Sequence, residues 1–157
     1  MNSRDEVLTL LGDAAAYWGT YHNHKETGAW AGLVVFVVLV ALLDSVAGVL
    51  IVSAITLVYL YQQFSSRFVA ANLAAACWLL RAEIVAKPAT DIDLASYAPS
   101  TNAAQPFPAG HFMPSPVMAA AQRMAARPRG ARIALEVVAY GLVIVVALVA
   151  VSDLWDS

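Results

Sequence analysis

The chain has 157 residues, 61% of them hydrophobic and only 13% charged, with a formal net charge of −2 and a mean hydropathy of +0.67. A soluble domain of this size carries about 25% charged residues and no more than about half apolar ones, so an ordinary soluble enzyme fold is excluded. The single cysteine, Cys77, excludes an intrachain disulfide and a multi-cysteine metal cluster. The fold class these observations predict is an all-α integral membrane protein: an N-terminal amphipathic helix, a two-span helical hairpin, a cytoplasmic helix, a Pro-rich loop and a C-terminal transmembrane helix.

Residues 1–28 read as an amphipathic juxtamembrane helix. Ser3 and Glu6 have capping-box spacing, and Asp5 and Glu6 suit the positive end of a helix dipole. Val7, Leu10, Ala14, Tyr17 and Tyr21 recur at three- and four-residue steps, an apolar stripe expected to pack on something. The segment lacks the basic region and short apolar core of a secretory signal, so the first hydrophobic run is expected to act as an uncleaved anchor. Asn2 and the C-terminal Asp-Leu-Trp-Asp-Ser carry no lipidation pattern.

Ala29–Tyr61 is almost wholly apolar, interrupted mainly by Asp44 and Ser45. A straight helix of that length would run ~50 Å, whereas a hydrocarbon core is about 30 Å thick. The run therefore divides into a hairpin over 29–64, with spans at about 30–43 and 47–64 that turn near Asp44-Ser45-Val46-Ala47-Gly48. Trp30, Tyr59 and Tyr61 fall where interfacial aromatics belong.

Residues 65–86 continue as a helix with Val69, Leu73, Ala76, Leu80 and Ile84 along one side. Arg67, Arg81 and Glu83 make it too polar for a further span and place it in the cytoplasm or on the surface. Lys87-Pro88 ends it. Residues 87–130 hold all seven prolines and read as a cytoplasmic loop, with a short helix at Met118–Ala126. A third span covers 131–152, and 153–157 form a short acidic tail.

Lys and Arg near span ends set orientation. The hairpin turn and the C-terminal tail have none, while the central region carries Arg67, Arg81, Lys87, Arg123, Arg127 and Arg129, with Arg132 at the boundary. This predicts a multi-pass protein of the inner or plasma membrane, with the N-terminus and 65–130 cytoplasmic and the C-terminus outside.

The densest polar cluster, His22, Asn23, His24, Lys25 and Glu26, lies just before the membrane. His22 and His24 point ~200° apart on a helix and cannot share an ion. His22 and Glu26, at i,i+4, share a face, but a further ligand such as His111 would be needed for a metal site. The plainer expectation is a polar, lipid-interface site in which Lys25 and the histidines meet headgroups and Glu26 pairs locally. The tripeptide His-Asn-His is not the dispersed metal site of the nucleases that share those letters. Glu136 is the one carboxylate inside a span, one turn from Arg132, with which it is expected to pair; it would share a leaflet with His22 and Glu26.

Gly28 and Gly32 have the small-xxx-small spacing that lets membrane helices approach closely. They are expected to pack on another helix, in this chain or a partner. Arg123, Arg127 and Arg129 form a juxtamembrane patch suited to anionic lipid. No phosphate loop, nucleophile elbow or nucleic-acid reader is present, so neither cofactor nor nucleic-acid partner is expected. The functional expectation is a non-enzymatic, helix-packing membrane subunit or scaffold, partnered by the bilayer and by another protein or copies of itself. The alternatives are a self-assembling pore or effector, and a membrane-embedded metal or catalytic protein using His22, His24 and Glu26.

Overall fold

A computed structural model of the chain describes residues 3–88, 91–97, 114–126 and 130–155. Four α-helices run α1 (Arg4–Ala41), α2 (Val46–Ala86), α3 (Ser115–Ala125) and α4 (Gly130–Trp155), with a 3-10 turn at Leu94–Tyr97. Three of them, α1, α2 and the Ile133–Trp155 part of α4, are long and apolar enough to cross a membrane.

Local chemistry sets the helix ends. At the start of α1 the capping box closes in both directions: the Ser3 amide donates to Glu6 Oε2 at 2.7 Å, and the Glu6 amide donates to Ser3 Oγ at 3.2 Å. After Ala41 the chain tightens, with the Leu42 and Leu43 amides donating to the carbonyls of Leu39 and Val40. Ser45 then caps α2 by accepting from the Gly48 amide at 3.2 Å. The expected turn at 44–48 is thus narrower and earlier, because Val46 to Gly48 are already helical. At its other end α2 stops at Ala86, before Lys87-Pro88.

The chain divides into two compact units, 1–21 with 69–127 and 22–68 with 128–157. In the first, Val7, Leu11, Ala15 and Trp18 of α1 close on Ala70, Leu73, Ala76, Cys77, Leu80 and Ile84 of α2, with Tyr97 and Val117, Ala120 and Ala121 of α3 completing the core. Of the expected α1 stripe, Val7 is buried and Ala14, Tyr17 and Tyr21 pack half-buried against this core, whose centre on α1 is formed by Leu11, Ala15 and Trp18 beside them. Asp5, Glu6, Thr9, Asp13 and Thr20 line the exposed face of this stretch, and Leu11, Ala15 and Trp18 lie on the side turned to the small α2 residues. On α2, Ala70 takes the place expected for Val69, which is 41% exposed. Arg4 donates from Nη2 to the carbonyls of Ile84 (2.7 Å), Val85 (3.1 Å) and Lys87 (3.2 Å). It therefore supplies α2 with the cationic cap that its own last turn lacks.

In the second unit, Ala29, Leu33, Phe36 and Val40 of α1 pack with Val49, Leu60 and Phe64 of α2 and Ala139 and Val143 of α4. Phe64 and Tyr140 meet edge to face at 6.0 Å.

Candidate functional site

A group of polar side chains of the second unit meets at the α1–α2 seam. On α2, Tyr59, Gln63 and Arg67 recur every four residues and so share one face. Opposite them on α1 stand His22, Glu26, Gly28 and Gly32. Arg67 Nη2 lies 3.1 Å from Glu26 Oε2, and His22 Nε2 lies 3.8 Å from the same oxygen. His22 Nδ1 is 3.2 Å from the Arg67 carbonyl oxygen. A carbonyl only accepts, so this contact puts the proton on Nδ1 and leaves Nε2 facing the carboxylate. The three side chains are 22–37% exposed, neither fully solvated nor dry. A cation already sits on Glu26, which weakens that carboxylate as a metal ligand.

One turn farther along, the glycine face is occupied from within the chain. A Cβ built on Gly32 would stand 2.4 Å from Tyr59 Cε1 and 2.9 Å from Cδ1. The Tyr59 hydroxyl donates to the Gly28 carbonyl at 3.0 Å. The missing side chains make room for an aromatic ring across the hairpin.

The other expected residues are dispersed. His24 is exposed on α1, Lys25 is half-buried, and Glu136 is half-buried on α4. The side chain of Arg132, and Arg127, Arg129 and His111, lie outside the described residues, so the expected Arg132–Glu136 pair does too. Arg123 is exposed on α3, its Nε donating to the Ala119 carbonyl. Among the described residues no three of His, Cys, Asp and Glu are grouped to hold a metal ion. Ser53 and Thr56 donate to the carbonyls of Val49 and Val52, four residues back in their own helix, and both are buried.

Arg67 and Tyr59 complete the seam without having been expected there. The signal was present: reflecting α1 through the Asp44-Ser45 turn lays Arg67 beside His22 and Gln63 beside Glu26. Outside the seam, Glu83 pairs with Lys87, whose amine is held above its usual range by that hydrogen bond and charge. Burial, and then the charge of Glu83, push the Tyr97 phenol upward.

No protein family, no curated protein and no solved structure was found to match the chain.

Proposed function

We propose that the protein is a non-enzymatic, three-span membrane protein that acts as a helix-packing subunit or scaffold of a membrane assembly. The observation that carries this reading is the direction in which the second unit faces its side chains. Around its buried apolar core this unit also turns large apolar residues outward: Val34 is 66% exposed on α1, Ile55 63% on α2 and Leu148 64% on α4. Such surfaces on three helices exceed what a water-soluble monomer leaves uncovered; they suit lipid and neighbouring helices.

The composition of the first unit supports the topology. Its core joins 1–21 to 69–127, an arrangement that suits both segments lying on one side of the bilayer. That is the side the basic central region marks as cytoplasmic. This unit also presents Trp78, Leu79 and Val85 outward, a surface for a partner.

Because Tyr59 fills the Gly28/Gly32 face, substitutions there test the hairpin rather than its partners. Gly141 on α4 is the better probe, since nothing lies within 4 Å of a Cβ built there. Gly141→Leu should leave the monomer's fold intact and reduce the mass of the detergent-extracted particle. An unchanged mass would remove this α4 face from the assembly interface.

A further inference from the structure

We draw no further inference here: the strongest candidate, the exposed face of α2 in the first unit where Trp78, Leu79 and Val85 stand beside Arg81, carries nothing because nothing in the structure shows what covers it.

Discussion

Gly32→Ala is the smallest change that tests how the hairpin is held. The added methyl would stand 2.4 Å from Tyr59 Cε1, whereas carbon atoms in contact prefer about 3.5–4.0 Å. The ring must therefore shift by about 1 Å or more, and its hydroxyl loses the 3.0 Å bond to the Gly28 carbonyl. Overpacking costs about 1–3 kcal/mol. The hydrogen bond adds about 0.6 kcal/mol if it behaves like those measured between membrane helices. Against both stands about 1 kcal/mol of improved helix propensity. The net expectation is a loss of about 0.6–2.6 kcal/mol, from the balance of those three effects. Tyr59→Ala makes the expectation sharper, because it removes the obstacle. In that background Gly32→Ala should reverse sign and stabilise the hairpin by about 1 kcal/mol, leaving only the helix-propensity effect. The assay is a sodium dodecyl sulfate titration in dodecyl maltoside micelles, followed by circular dichroism and tryptophan fluorescence, with the four proteins forming a double-mutant cycle. If Gly32→Ala costs the same with and without Tyr59, the ring is not what the glycine accommodates.

Further predictions concern the polar pair and the first unit. Glu26→Gln and Arg67→Gln should each destabilise the hairpin by about 1 kcal/mol, as suits a partly exposed pair, and the charge-swapped Glu26→Arg/Arg67→Glu protein should recover part of that in the same titration. Leu73→Ala, at a side chain 1% exposed, should cost about 2–5 kcal/mol, whereas Glu83→Gln on the surface should stay within about 0.5 kcal/mol. Cys77 is fully buried, so maleimide labelling should be slow in the folded protein and rapid once sodium dodecyl sulfate unfolds the first unit. The folded-state pKa of Tyr97 is raised, so its contribution is fully present below the ordinary tyrosine value of about 10 and falls as pH rises through the folded value. Tyr97→Phe should flatten the alkaline slope of stability measured above that pH.

What was legible in the sequence was mostly local. The Ser3–Glu6 box, the break at Asp44-Ser45 and the stop at Lys87-Pro88 each depend on residues a few positions apart, and each marks a helix boundary in the structure. The passage of α1 from the amphipathic segment into the first apolar run was equally readable, since no breaker separates them. The centre of the N-terminal stripe was less so. With Leu10, Leu11, Ala14, Ala15, Tyr17 and Trp18 all apolar, the stripe is wide; Val7, Ala14, Tyr17 and Tyr21 pack on the core as expected, while the partner surface on α2 decides that Leu11, Ala15 and Trp18 form its buried centre. The site divides the same way. His22 and Glu26 share a face because helical spacing requires it. Arg67 reaches Glu26 only because the hairpin folds back on itself, a relation 41 positions long that is set by where the turn falls. The Gly28/Gly32 spacing announced a close approach without naming what approaches; Tyr59 is supplied by the tertiary structure.

On the proposed function, the protein works through helix packing with other membrane chains. Its most direct test is the mass of the particle extracted in mild detergent, with every co-purifying chain identified. A defined complex, of copies of this chain or of this chain with a second protein, is the predicted result, and Gly141→Leu should shift it toward the monomer. A monodisperse single chain with no co-purifying partner, at the same detergent concentration, would refute the helix-packing function.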